Sequence, residues 1–155
     1  MEKINKIFLT FFYTGYMPIA PGTWASLFTA LIVFFTFKHL SISLYLFLLI
    51  SFFIIGSIGA DEITKKYEIE DPRWIVIDEV IGMMITLLPL YYNTVFDYKV
   101  FIAGFFLFRV FDVFKPFPVS WVDRKMKNGW GVMLDDVLAG VYSGIILYFI
   151  RGYIV

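Results

Sequence analysis

WIVIDEVIGMMITLLPLYY, residues 74–92, is an apolar run broken by one adjacent acidic pair, Asp78 and Glu79. A helix needs about 20 mostly apolar residues to cross a hydrocarbon core, and this run approaches that length. Ionised groups at membrane depth are costly and by default carry function. The pair sits between Ile77 and Val80, about one turn inside the expected span, where helix capping does not account for it.

Further apolar stretches flank this run. Trp24 to Phe37, Ser43 to Ala60 and Met133 to Ile150 read as spans, the first of them short, and Lys99 to Phe114 as a fifth. The segment Ile7 to Tyr16 is apolar too, but Gly15, Pro18, Pro21 and Gly22 break any continuous helix between it and the first span. An interfacial or re-entrant N-terminal helix is expected, then a loop, then a span opening near Thr23. Irregular backbone at membrane depth is tolerated where it is buried in protein or lines a wet cavity, so the Pro18 to Thr23 loop is a candidate site wall. The expected fold is an all-α polytopic membrane helical bundle of about four to five spans.

Composition agrees. Hydrophobic residues make up 60% of the chain and charged residues 17%, with a mean hydropathy of +0.79, well outside the balance of a soluble globular domain. At 155 residues the chain is expected to form a single membrane-embedded domain over 1–155, so any chemistry must come from the helices and their short loops. The absence of cysteine excludes disulfides, thiolate nucleophiles and Cys-based metal sites. His39 is the only histidine, which excludes a site needing two imidazoles; it reads as a loop residue. No small-residue cleavage site follows the charged start Met1 to Lys6, so no removable signal peptide is expected.

Lys and Arg placement sets the expected orientation, because basic short loops stay in the cytoplasm. With the N-terminus inside, the loops at Asp61 to Arg73 and Lys115 to Gly131 share its side and carry most of the basic residues, while Lys38, Lys99 and Arg151 lie opposite. Nearly all the acids fall on the cytoplasmic side as well, leaving Asp97 outside. Four charged clusters distant in sequence thus converge on one face: Asp78 and Glu79; Arg109, Asp112 and Lys115; Asp123 and Arg124; Asp135 and Asp136. A single site is the simplest account.

Two facing carboxylate pairs, Asp78 with Glu79 and Asp135 with Asp136, suit a hard divalent cation. Magnesium takes oxygen ligands, and typically binds through one or two carboxylates together with substrate phosphate. Arg109, Asp112 and Lys115 recur at a spacing of three and share a helix face. The basic residues of that face suit a phosphate, with Asp112 orienting it or joining the metal. Plainer readings compete: Asp135 and Asp136 would lie in the first turn of the last span, where acids often cap or answer the helix dipole, and Arg109 with Asp112 could be a structural ion pair. Gly140 with Gly144, and Gly56 with Ala60, read as close helix contacts.

The runs Gly15 to Thr23 (GYMPIAPGT), Ile75 to Gly82 (IVIDEVIG), Phe108 to Pro118 (FRVFDVFKPFP) and Gly129 to Gly140 (GWGVMLDDVLAG) together resemble the phosphatidylglycerophosphatase A family, in order and over almost the whole chain. Ala25 and Asn128 stand where that family often has glycine. The resemblance implies a magnesium-dependent lipid phosphatase of the bacterial inner membrane that converts phosphatidylglycerophosphate to phosphatidylglycerol. It implies site roles for Pro21, Gly22, Thr23, Asp78, Glu79, Arg109, Asp112, Lys115, Asp135 and Asp136, with Asp71 and Asp123 as weaker candidates. In the expected mechanism Asp78, Glu79, Asp135 and Asp136 hold Mg²⁺, and Arg109 and Lys115 neutralise the phosphate. Backbone N–H groups at Gly22 and Thr23 cradle the anion, and metal-activated water attacks in line. The expected partners are the bilayer and the phospholipid substrate, with no nucleic acid.

Three rivals remain. An ion- or proton-coupled transporter would also carry intramembrane carboxylates, but the outer halves Leu87 to Tyr92 and Ile145 to Ile150 are apolar or aromatic. A membrane phosphotransferase would show aspartates spaced by helical turns on two consecutive helices, a pattern not found here. A structural scaffold leaves Asp78 and Glu79 unexplained.

Overall fold

The computed structural model describes residues 2–70, 72–92 and 97–154. Its helices are α1 (Glu2–Leu9), α2 (Pro21–Thr36), α3 (Ile42–Tyr67), α4 (Ile77–Leu87), α5 (Tyr98–Phe114), α6 (Val119–Lys125) and α7 (Gly129–Ile154), with 3₁₀ turns at Thr14–Tyr16 and Leu88–Tyr92. No strand occurs among the described residues, so the all-α expectation holds. Among the described residues two helices, α3 and α7, are long and apolar enough to cross a membrane; α2, at 16 residues, is apolar but shorter.

The element at the centre is α4. It packs against α2, α3, α5 and α7, and Ile77, Val80, Ile81, Met83 and Leu87 are almost wholly buried. Its closest neighbour is α7, and the approach depends on glycine: a β-carbon on Gly140 would overlap the Gly82 carbonyl oxygen, and one on Gly82 would meet Phe108 and the Asp136 carbonyl. Gly140 therefore makes the close helix contact its spacing suggests. Across the bundle the buried Tyr45 hydroxyl donates to the Met84 carbonyl at 2.9 Å. Around this centre, α2, α3, α5 and α7 turn large apolar side chains outward, among them Phe35, Phe47, Ile58, Phe106, Val113 and Phe149. A soluble monomer rarely exposes so continuous an apolar surface.

Helix α3 runs on to Tyr67, through half of the segment expected as a loop from Asp61, and three other helix boundaries depart from expectation for a physical reason. The N-terminal helix ends at Leu9 rather than near Tyr16, because Phe11, Phe12 and Tyr13 all adopt positive φ, at 42°, 56° and 69°. Thr10 organises that turn: its hydroxyl accepts from the Tyr13 N–H at 3.1 Å, and its carbonyl accepts from the Gly15 N–H at 3.0 Å. The central helix is shorter than the run 74–92. Its first residues are held outside the helix by the Val76 N–H donating to the Leu9 carbonyl at 2.9 Å, and Pro89, which lacks an N–H, falls where the α-helix gives way to 3₁₀. The last helix begins at Gly129, four residues before Met133, where a β-carbon would strike the Asp61 backbone.

These shifts exchange the positions of the two acidic pairs. Asp78 and Glu79 lie in the first turn of α4, not a turn inside it, while Asp135 and Asp136 lie in the interior of α7. The segment between Lys115 and Gly131, expected as a loop, carries the short helix α6.

Candidate active site

Charged side chains from five elements meet in a cavity of about 310 Å³ at one end of the bundle. Its walls come from the turn before α2 (Ala20, Pro21, Gly22), the segment before α4 (Glu70, Arg73, Ile75), α4 itself (Asp78, Glu79), α5 (Arg109, Asp112) with Lys115 at its end, α6 and its exit (Asp123, Met126, Lys127), and α7 (Gly131, Val132, Asp135, Asp136). The charged clusters named from the sequence thus share one cavity, with two exceptions. Thr23 does not line it, and its N–H already donates to the Ala20 carbonyl at 3.0 Å. The anion cradle expected of that turn narrows to Gly22. Arg124 turns away, its Nε bonded to the Ser120 carbonyl at 2.9 Å. Asp71 lies outside the described residues.

At the cavity's base, one carboxylate oxygen from each of Asp78, Glu79 and Asp136 lies within 4.8 Å of the others. Asp78 and Asp136 are buried and Glu79 is half-buried. Asp78 Oδ1, Glu79 Oε2 and Asp136 Oδ2 are cut off from solvent and have no hydrogen-bond partner. Buried anions this close repel strongly, and an unpartnered buried polar group is costly. Position at a helix N-terminus explains little of Asp78 and Glu79, because neither side chain caps α4. Three hard oxygen donors converging with unused lone pairs fit a hard divalent cation.

Gly22 fixes the wall opposite Glu79. A β-carbon at Gly22 would overlap the Glu79 carboxylate, so the Pro21-Gly22 turn packs directly on a member of the acidic trio. Behind it, the Ser26 hydroxyl is tied to the Gly22 carbonyl at 2.8 Å.

The cations are held by acids outside the trio. Arg109 pairs with Asp112 at 2.6 Å, one turn along α5. Lys115 occupies the C-cap of α5 in a left-handed conformation, φ 41°, which ends the helix and brings its Nζ to both Asp123 and Asp135, the latter at 2.6 Å. Three elements, α5, α6 and α7, are joined by that ammonium. Burial alone would lower its pKa, but the two carboxylates outweigh burial and hold it above the ordinary lysine value. The sequence places Asp135 beside Asp136 in the metal set; in the structure its Oδ2 is taken by the Lys115 ammonium instead.

Glu70, Arg73 and Lys127 also line the cavity, although the sequence reading used them only for topology. Lys127 pairs with Glu70 at 3.3 Å. The available signal was their place in the two basic loops, 61–73 and 115–131, the second of which also carries Lys115 and Asp123.

Comparison with known proteins agrees with this arrangement. Residues 7–151 match the family model described as phosphatidylglycerophosphatase A. The chain is 40% identical over 139 residues to phosphatidylglycerophosphatase A of Escherichia coli, covering 90% of this chain and 78% of that one. It is 34% identical to the protein of the same name from Haemophilus influenzae, covering 90% and 84%. A Bacteroides thetaiotaomicron protein with the provisional name phosphatidylinositol-3-phosphatase is 39% identical, covering 89% and 87%. No solved structure matches the chain significantly. A match spanning the four motifs, the acidic trio and the paired cations places this chain in the phosphatidylglycerophosphatase A family.

Proposed function

We propose that this protein is a Mg²⁺-dependent lipid phosphatase that hydrolyses phosphatidylglycerophosphate to phosphatidylglycerol and phosphate at the cytoplasmic face of a bacterial inner membrane. The observation that carries the reading is the trio Asp78, Glu79 and Asp136, with three orphaned oxygens at the base of a cavity that also holds Arg109 and Lys115. Family membership supports the substrate. The exposed apolar belt on α2, α3, α5 and α7 supports a multi-pass bundle, and the basic loops around the cavity support a cytoplasmic mouth.

In this reading Asp78, Glu79 and Asp136 would hold the metal ion, with Asp112 beside them. Bound there, a divalent ion supplies Lewis-acid neutralisation of phosphate charge and lowers the pKa of water. Arg109, whose planar fork suits phosphate oxygens, and Lys115 orient the monoester against the trio. Lys115 does so while staying charged, since its two acidic partners stabilise the ammonium. Asp135 and Asp123 act through Lys115, positioning its amine. A cavity carboxylate accepts the proton of the attacking water and returns it to the leaving alkoxide of the glycerol headgroup as the P–O bond breaks. The diacylglycerol tails remain in the bilayer.

The test is phosphate release from phosphatidylglycerophosphate by the purified protein in mixed micelles, with Mg²⁺ and with excess chelator. Release that requires Mg²⁺ and is lost in Asp78→Asn is expected. No release under any divalent metal, from protein shown to be folded, would overturn the reading and favour the transporter alternative, to be examined by ion flux in liposomes.

A further inference from the structure

The cavity's cations fall into two tiers. Arg109 and Lys115 are the inner pair, with side chains 20% and 28% exposed, each bound to an acid. Lys127 and Arg73 form the rim: the Lys127 side chain is 51% exposed and pairs with Glu70, and Arg73 is exposed. The Arg73 guanidinium makes no ion pair or hydrogen bond among the described residues. Its backbone is nevertheless well placed, in a turn closed by the Ile75 N–H to the Pro72 carbonyl at 2.8 Å and anchored by the Val76 N–H to the Leu9 carbonyl. The adjacent Trp74 stacks on Tyr16 at 6.3 Å. A cation with no counter-ion among the described residues, at the mouth of an acidic cavity and five residues before Asp78, invites an anion from outside the chain.

Headgroup chemistry supplies a second anion. The monoester to be cleaved must reach the acidic trio, and a phospholipid also carries a phosphodiester between headgroup and tails. In phosphatidylglycerophosphate the glycerol bears the phosphodiester on one terminal carbon and the monoester on the other. In a phosphatidylinositol 3-phosphate, the lipid implied by the name of the Bacteroides relative, the two groups sit on ring carbons one and three. Both headgroups therefore present a monoester and a phosphodiester across a three-carbon bridge.

We propose that Arg73, with Lys127 on the same cavity, forms a rim subsite for the phosphodiester, so that the cavity selects lipids whose phosphomonoester lies three carbons from a phosphodiester. The inner tier takes the phosphate that leaves and the rim takes the phosphate that stays. A simple lipid monoester such as phosphatidate fills the inner tier only. This inference rests on the phosphatase reading above and goes beyond it in assigning headgroup selectivity to Arg73 and Lys127, which the motif resemblance does not name. Arg suits the task because its fork binds phosphate oxygens in pairs.

The experiment compares short-chain phosphatidylglycerophosphate with short-chain phosphatidate, using wild-type protein, Arg73→Ala and Arg73→Lys, each with Mg²⁺ and each checked for unchanged thermal unfolding in detergent. Wild-type kcat/KM is expected to favour the two-phosphate lipid. In Arg73→Ala, KM for that lipid rises about tenfold, the share of one charge-assisted hydrogen bond, with kcat nearly kept, so the preference over phosphatidate falls by the same factor. The inhibition constant of phosphatidylglycerol, which carries only the phosphodiester, rises in parallel, and Arg73→Lys recovers part of both changes. Equal loss on the two substrates would overturn the subsite, since it would mark Arg73 as a general attractor of anions; so would no change on either. Wild-type protein that hydrolyses both lipids equally well would sink the subsite and leave the phosphatase standing. Release from neither lipid would sink both readings.

Discussion

Gly22→Ala adds a single methyl group, yet it is expected to disable the site. The new β-carbon would occupy the position of the Glu79 carboxylate, and the turn cannot retreat freely because the Ser26 hydroxyl holds the Gly22 carbonyl and Pro21 opens α2. Glu79 must therefore move by an amount on the order of 1 Å, a misplacement that costs about a hundredfold in rate when it affects a reacting centre. Disturbed ligand positioning also weakens metal binding by about 10- to 100-fold. The assay is phosphate release from phosphatidylglycerophosphate in mixed micelles across a Mg²⁺ titration, with thermal unfolding in detergent as the fold check. The half-saturating Mg²⁺ concentration is expected to rise by one to two orders of magnitude and the plateau rate to fall. The matched control is Gly152→Ala, the same chemical change where nothing lies within 4 Å of the added carbon; it should leave kinetics unchanged and add up to about 1 kcal/mol through better helix propensity. A Gly22→Ala protein with wild-type Mg²⁺ dependence would refute the claim that this turn braces a metal-holding carboxylate.

Asp78→Asn and Asp136→Asn should each abolish most turnover and leave the folded, detergent-soluble protein intact, since removing one of three mutually repelling anions relieves repulsion; near-full activity in either would remove the trio from the mechanism. Lys115→Ala should raise KM before it lowers kcat and destabilise the fold by about 1–3 kcal/mol, because it strands the buried Asp135 without its partner; an unchanged KM would make Lys115 purely structural. The pKa of Lys115 is raised above its ordinary 10.5, so the stability from its ion pairs is fully present below 10.5 and is lost only as pH rises through the higher folded value. Urea midpoints measured between pH 7 and pH 10 should therefore be equally sensitive to Lys115→Ala, and a Lys115 contribution that fades within that range would contradict the pairing. Gly140→Leu should fail to assemble or unfold many degrees lower, because its side chain would have to pass through the Gly82 carbonyl; a normal unfolding temperature would mean that α4 and α7 separate more easily than they pack.

Residue type and order disclosed which side chains matter more reliably than where their helices begin. The Asp78–Glu79 pair was singled out for lying within an apolar run, yet in the structure it opens α4, and its distinction is burial without partners. Asp135 and Asp136 could be read as caps because the apolar run opens only at Met133, whereas α7 starts at Gly129, where contact with Asp61 leaves room for little but glycine. Such starts are set by neighbours distant in sequence, so local propensity misses them. The division of labour between Asp135 and Asp136 was also hidden, since it depends on where the end of α5 delivers the Lys115 ammonium that takes Asp135. Arg73, Glu70 and Lys127 were invisible as cavity residues for a related reason: loops converge through tertiary packing, and nothing in the spacing of three loop charges states that they share a mouth.

Seven carboxylates and four cations line the cavity, and this imbalance links the occupants to one another. With its carboxylates ionised the cavity repels a phosphate dianion, while a divalent cation at the trio favours that ionised state and reverses much of the repulsion. Metal and phospholipid should therefore bind with positive coupling, each tightening the other by the same factor, as thermodynamic reciprocity requires. If the metal is Mg²⁺, as proposed, its free concentration would act as a permission signal: on a fall, substrate would leave the pocket rather than wait there unreacted, and the membrane's pool of phosphorylated lipid would stay available to whatever else recognises it.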